Sequence, residues 1–509
     1  MMNALKAALL GGTACIALTA TARAADLPAV KAPALAKVNC YVDFLSWFNA
    51  SAQECPLGIS AITFYGAVDV GGSYQTHAAP FNRYSPSAVA AVVSKQSRDA
   101  GFVASPNGLS QSAIGIKGLI PLFSDVKFTY NVNAGFDPYS FQFANGPGSL
   151  VSQNGIPTAY QQSSGDSSRA GQWYNNFAYA GLTSDTYGTF RIGRQSTFSN
   201  DLIGAYDPTG GSYAFSLLGN SSSLGGGLGV TQMARYNTAV QYVYDYKHIF
   251  HAGGMAQFGG LSDGNGGSGA YQINIGGTVA DFSVDGVYAY NRNAVALSTF
   301  APALPANYSQ SNLKGTYANV QAVMLVAKYK YQKLTLSGGY ENSRFSNPDA
   351  TDTAWDALNV VTAQGSGYRV DPAVAGSVTT NAFAINKILQ VAWVGAKYAI
   401  MPNLDISGGY WHVWQNNYDT NPGANCISGA TYKISGTGTA GYPTVLGKGT
   451  SKSDCAGSQD VASLLLDYRP VKRVDTYIGL MYSKVYDGLA SGYVQSNNLA
   501  VTSGVKLSF

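Results

Sequence analysis

Apolar and polar residues alternate with a period of two over much of the chain. Ile62, Phe64, Gly66, Val68 and Val70 interleave with Thr63, Tyr65, Ala67 and Asp69. Farther on, Val126, Phe128, Tyr130 and Val132 oppose Lys127, Thr129, Asn131 and Asn133. Thr238, Val240, Tyr242 and Tyr244 oppose Arg235, Asn237, Gln241 and Asp245, and a fourth set runs Val474, Thr476, Ile478, Leu480, Tyr482. This period places each set on one face of a β-strand. Each run is about ten residues long, the length a tilted strand needs to cross a bilayer. The pattern predicts sixteen strands, beginning near Ile62, Ser110, Val126, Trp173, Tyr187, Tyr236, His248, Ala270, Phe282, Asn319, Lys333, Leu389, Asn403, Gln459, Val474 and Ser496.

The connections alternate in length. They include short turns such as "TSDTYG" and "YRPVKR" and long segments, among them Gln75 to Leu109, Phe136 to Gln172, Ser196 to Met233, Asn291 to Ala318, Ser343 to Lys387 and Gln415 to Ser458. Long loops on one side and short turns on the other are how an outer-membrane barrel is built. An open sheet of this many strands would leave unpaired edges, which closure removes. The fold class expected is therefore all-β, a 16-stranded antiparallel transmembrane β-barrel with short periplasmic turns and long extracellular loops. Aromatic clusters near strand ends, as in "WYNNFAY", "YWHVW" and "YSKVY", suit membrane-interface girdles.

Composition agrees. Hydrophobic residues make up 46% of the 509 and charged residues only 11%, against roughly a quarter charged in soluble proteins. The mean hydropathy is nevertheless −0.02, too polar for a bundle of membrane helices. Alternating lipid-facing and lumen-facing residues reconcile the two values. Residues 1–24 read as a signal peptide: Lys6, an apolar run from Ala7 to Ala20, and Ala22-Arg23-Ala24 before the cut. The formal net charge of +4 loses two cations with that leader, and such a near-balance argues against a nucleic-acid partner.

Residues 25–60 break the barrel pattern, which leaves 61–509 for the barrel itself. "CYVDFLSWFNASAQEC" fits a short amphipathic helix or hairpin closed by Cys40 and Cys55, on the periplasmic side or in the lumen. It is either a structural tether or a cap that narrows the pore. Cys40–Cys55 and Cys426–Cys455 are two local pairs in an exported chain, which points to two disulfides. Without CxxC or HxxxH spacing, a zinc site has no support. His77, His248, His251 and His412 lie beside no nucleophile and read as surface or turn residues, and Gly225–Gly229 lacks the following Lys-Ser/Thr of a phosphate loop. An enzyme is not expected, and no cofactor is implied.

"GTFRIGRQ", a long loop, then "RYNTAVQY" resembles strand five, the third loop and strand six of general Gram-negative porins. "SAIGIKG" and the terminal Phe509 match as well. "AADLP", the N-terminal Cys pair and "DPYSFQFANGPGSLV" resemble the alphaproteobacterial, rhizobial type. The resemblance implies an outer-membrane homotrimer whose third loop, Ser196 to Met233, folds into each lumen and narrows it. It implies passage of small hydrophilic solutes and ions, contact with outer-membrane lipid and lipopolysaccharide, and Phe509 as a signal to the outer-membrane assembly machinery.

Parity locates the charges of such a constriction. Arg191, Arg235 and Lys117 face inward, whereas strict alternation aims Arg194 at lipid unless a bulge at Gly193 turns it in. Arg194 is placed at the constriction by the resemblance. Asp201 and Asp207 are the only acids on the loop, and Asp207 before Pro208 also suits an Asx turn. Ala113 stands where the family often has a further arginine, which suggests a wider or less polarised opening. The expected function is a general diffusion porin with weak anion preference; the alternative is a substrate-specific channel for a sugar or an anion.

Overall fold

The computed structural model describes residues 40, 42–59, 61–78, 91–93, 100–139, 141, 176–220, 235–247, 249–258, 270–300, 312–347, 361–362, 369–370, 378–380, 385–418, 426, 433–434, 445–446, 451, 454–490 and 495–509. All belong to the unit Cys40–Phe509. The leader, His248 and most of "DPYSFQFANGPGSLV" lie outside the described residues.

Sixteen antiparallel strands close into a barrel. They are β1 (Ile62–Gln75), β2 (Ala113–Phe123), β3 (Val126–Gly135), β4 (Phe177–Ser184), β5 (Gly188–Ser196), β6 (Arg235–Tyr246), β7 (Phe250–Gln257) and β8 (Ala270–Val279), followed by β9 (Phe282–Phe300), β10 (Asn312–Tyr331), β11 (Leu334–Ser346), β12 (Lys387–Met401), β13 (Leu404–Gln415), β14 (Gly457–Val471), β15 (Val474–Asp487) and β16 (Asn497–Ser508). Each strand pairs with the next, and β16 returns to β1, from Gln75 opposite Ala500 to Ala67 opposite Ser508. The backbone N–H of Phe509 donates to Gly66 O at 2.9 Å, and that of Gly66 donates to Phe509 O at 3.0 Å. The last residue is thus stitched into the seam.

The outer face reads as a membrane belt. Ile192, Ile273, Ile275, Leu325, Val394, Leu464, Ile478 and Leu480 are exposed at mid-height. Exposed aromatics flank them: Tyr74, Tyr271, Trp414 and Tyr482 toward the loops, and Tyr246, Tyr329, Tyr398 and Tyr468 toward the short turns. Rings with one apolar and one wet end belong at those two levels.

Two features depart from plain alternation. At Gly193 (φ +125) the register between β5 and β6 slips. Arg194 is in consequence 4% exposed and does not face lipid. Beyond the slip, Tyr236 is fully buried and donates its hydroxyl to Asn291 Oδ1 on β9 at 2.6 Å. The second feature is that β10 and β12–β15 are apolar on both faces. Their inward residues Val326, Trp393, Trp411, Val461, Leu465 and Met481 are buried. They pack with Phe198, Leu202, Ile203, Tyr206 and Phe215 of the loop after β5, so the barrel holds a core against one part of its inner wall.

At the short-turn end, helix α1 (Phe44–Asn49) sits in a segment closed by the Cys40–Cys55 disulfide. Asp43 caps the helix by accepting from Ser46 N at 2.7 Å. Arg473, in the turn between β14 and β15, holds the segment by donating from Nε to Trp47 O (3.0 Å) and from one terminal nitrogen to Ser51 O (3.2 Å) and Cys55 O (2.7 Å). Its guanidinium lies 4.2 Å from the Trp47 ring centre. Beside it, Lys472 Nζ donates to Glu54 at 2.6 Å. The second disulfide, Cys426–Cys455, also forms.

Candidate functional site

The third loop folds inward because it carries its own amphipathic helix. In α2 (Phe198–Tyr206), Phe198, Leu202, Ile203 and Tyr206 fall on one face and are buried, with Thr197 as N-cap. Burying one such side chain stabilises by roughly 1.5–3 kcal/mol, and only the inner wall offers the surface.

From β5 the loop runs around the inside of the barrel, fastened strand by strand. Ser199 N donates to Gln272 Oε1 on β8 at 3.1 Å. The Tyr206 hydroxyl donates to Asp285 on β9. Asp285 also receives Asn274 Nδ2 at 3.0 Å and lies 2.6 Å from His251 Nε2. Lys328 Nζ on β10 donates to Ala205 O at 3.1 Å, and Trp393 Nε1 on β12 to Tyr206 O at 3.4 Å. Ser463 Oγ on β14 donates to Phe215 O at 2.6 Å, and the Phe215 ring meets that of Tyr477 on β15 edge-on, centres 6.0 Å apart. Gly395 and Gly409 let the loop come this close: a Cβ at either would lie 2.5 Å from Pro208.

Asp207 belongs to this fastening and not to the open lumen. The residue is 5% exposed. It accepts from Thr209 N (2.9 Å), Thr209 Oγ1 (2.8 Å), Gly211 N (3.1 Å), Ser216 Oγ (2.7 Å) and Trp411 Nε1 on β13 (3.1 Å). Burial pushes its carboxyl up, against the pull of the Ser216, Thr209 and Gly211 hydrogen bonds. The Asx-turn role is therefore the one the structure assigns, because every accessible lone pair is already taken. Asp201 differs. It sits in the first turn of α2, open to water yet deep inside the barrel, where burial pushes its carboxyl up against the pull of Ser196, Arg191 and Arg235.

The described contacts of the loop cover the wall from β7 to β15. The inner side of β2–β6 instead carries cations laid over rings. Lys117 Nζ is 4.7 Å from the Tyr65 ring centre, Arg191 Cζ 4.9 Å from Tyr179, and Arg235 Cζ 5.6 Å from Phe177. Tyr65 is oriented by donating its hydroxyl to Asn131 Oδ1 at 2.5 Å. Arg194 lies buried behind this row, in the bulge. The aromatic partners were absent from the sequence reading, although Tyr65, Tyr179 and Phe177 share inward parity and could have been found by it. His251, read as a turn residue, is instead a wall residue of the loop's anchor. His412 is on the outer face, 2.5 Å from Asp460 Oδ1. His77 Nδ1 lies 2.9 Å from Asn497 O.

Among solved structures, the chain is similar to the anion-selective porin from Comamonas acidovorans, at 13% identity and a TM-score of 0.51, over 88% of this chain and 99% of that one. It is also similar to the outer-membrane expressed OmpT of Vibrio cholerae, at 13% identity and a TM-score of 0.50, over 89% and 100% of the two chains. At such identity the likeness concerns the fold alone. A search among curated proteins gave no match. A family model described as Gram-negative porin matches residues 12–488. The protein is thus a member of the Gram-negative porin family, a channel barrel of the outer membrane.

Proposed function

We propose that the protein is a passive diffusion channel for small hydrophilic solutes and ions, with a weak preference for anions. One observation carries this: an inner wall over β2–β6 bearing Lys117, Arg191 and Arg235, faced on the loop by Asp201. Charges lining a narrow wet passage bias ions by sign, and three cations outweigh one acid. With Asp207 committed to its turn, the opposing negative side is weaker than two loop acids would make it. The family resemblance supports a homotrimer surrounded by outer-membrane lipid and lipopolysaccharide, with Phe509 addressing the assembly machinery.

Arg235→Glu tests the assignment. In a salt gradient across a planar bilayer, its reversal potential should move toward cation preference; an unmoved reversal potential would remove Arg235 from the narrow part. The stacking of each cation on a ring favours a second reading, a substrate-specific channel for a sugar or an anion, since such pairs present flat apolar surface beside positive charge. Liposome swelling separates the two. A smooth dependence on solute size supports general diffusion, and saturation by one solute supports the specific channel.

A further inference from the structure

We propose that Ser105–Ser112 forms a second pore-narrowing element beside the third loop, with Leu109, Ser110 and Gln111 on the passage; the inference rests on the channel reading. The strand neighbouring β1 comes in two pieces. Gly101–Ala104 pairs with Gln75–Gly72, and β2 resumes with Ala113 opposite Ala67. Between these registers β1 contributes Val68–Gly71, only half as many residues as Ser105–Ser112. The surplus must leave the sheet, and the hydrogen bonds fix the side to which it goes.

Asp69 points into the barrel and is fully buried. Its carboxylate accepts from Leu109 N (2.7 Å), Ser110 N (3.1 Å) and the Tyr477 hydroxyl on β15 (2.7 Å). The excursion therefore lies on the lumen side. It is also self-closed: Ser112 N donates to Asn107 Oδ1 at 2.7 Å, Asp69 N to Ser112 Oγ at 2.9 Å, and Asn107 N to Asp69 O at 3.0 Å. A carboxylate held by three donors fixes this knuckle as a firm part of the wall. Ser105 to Gly108 are buried, whereas Leu109, Ser110 and Gln111 are partly exposed.

The knuckle meets the third loop. Ala214 N donates to Gly108 O at 2.9 Å, and Phe215 and Asp69 both rest on Tyr477. The two elements thus form one inner lining, running from β7 round to the start of β2. Leu109, Ser110 and Gln111 carry no charge. The knuckle accordingly limits solutes by size, while the cations on β2–β6 act by sign.

Ser110→Arg and Ser110→Glu in the full chain test this by planar-bilayer recording, alongside Arg235→Glu. The two Ser110 variants should shift the reversal potential in opposite directions, and Ser110→Trp should lower unitary conductance. Removal of residues 107–110 should raise conductance and the swelling cut-off, provided the barrel still migrates as folded before heating. Folded Ser110 variants with the parent reversal potential and conductance would overturn the proposal. If Arg235→Glu alone shifts, the channel reading stands and the knuckle falls; if neither site shifts, the knuckle falls and Arg235 leaves the narrow part; and if the folded protein passes no ions, the channel reading falls.

Discussion

Arg194 stands on a strand whose strict alternation would aim it at lipid, where a charge costs roughly 2–4 kcal/mol at mid-depth. The chain avoids this with one glycine. Gly193 adopts φ +125, and a Cβ there would lie 2.2 Å from Ala178 O. Gly193→Val should therefore destabilise the barrel by about 1–3 kcal/mol, read as a lower urea midpoint of the detergent-folded protein. In the turn between β8 and β9 the opposite case occurs, since Ala280 holds φ +52 without being glycine. Ala280→Gly should stabilise the barrel by roughly 1 kcal/mol and so raise that midpoint. Parity sufficed to aim Lys117 and Arg191 at the lumen, because each lies where its strand alternates without interruption. It could not reveal the slip itself, where β6 sets Asn237 and Thr238 against the single Arg194 and Tyr236 turns inward.

Two elements are positioned by contacts with opposite tolerance to change. The third loop is held by rigid packing, with Pro208 against two glycines. Gly409→Val should push the loop tip off β13 and change unitary conductance while the barrel remains folded. The N-terminal segment is held by charge. Lys472, helped by Ser51, holds the Glu54 carboxyl at about 2, below its ordinary 4.5. A depressed folded value means that this contribution to docking is complete above about pH 4.5 and lost as pH falls toward 2. Trp47 fluorescence should report the loosening of this corner on acidification while Arg473 keeps its own contacts, and Lys472→Ala should reduce that pH dependence, leaving the part due to Ser51. Deleting residues 26–58 decides between tether and pore-narrowing cap: unchanged conductance leaves only the tether. The segment's disulfide was legible from two cysteines bracketing a short run; its docking partner Arg473 was not, lying more than four hundred positions away. The two-sided apolar strands were equally opaque. "VQAVMLVAK" does not alternate, and only the inward-folded loop explains why its inner face is oily.

At the scale of the molecule, period-two alternation and uneven connections were enough to place sixteen strands, because the bilayer penalises any other arrangement of backbone polar groups. Most starts lie within a few residues of those seen. Ser110 was early because the knuckle precedes β2, and Asn319 was late because β10 rises above the belt from Asn312. The knuckle itself left no signal, since "SPNGL" reads as ordinary loop and Ser110 to Ser112 as the start of a strand. Closure depends on the β16–β1 seam, where Phe509 exchanges hydrogen bonds with Gly66. Removing Phe509 should accordingly lower the yield of assembled barrel more than it alters the conductance of what assembles. Single-channel recording of the purified protein in a planar bilayer tests the central claim most directly. A wet passage narrowed by the inward-folded loop predicts discrete, stable conductance steps with a reversal potential on the anion side. Folded, membrane-inserted protein that passes no ions would contradict it.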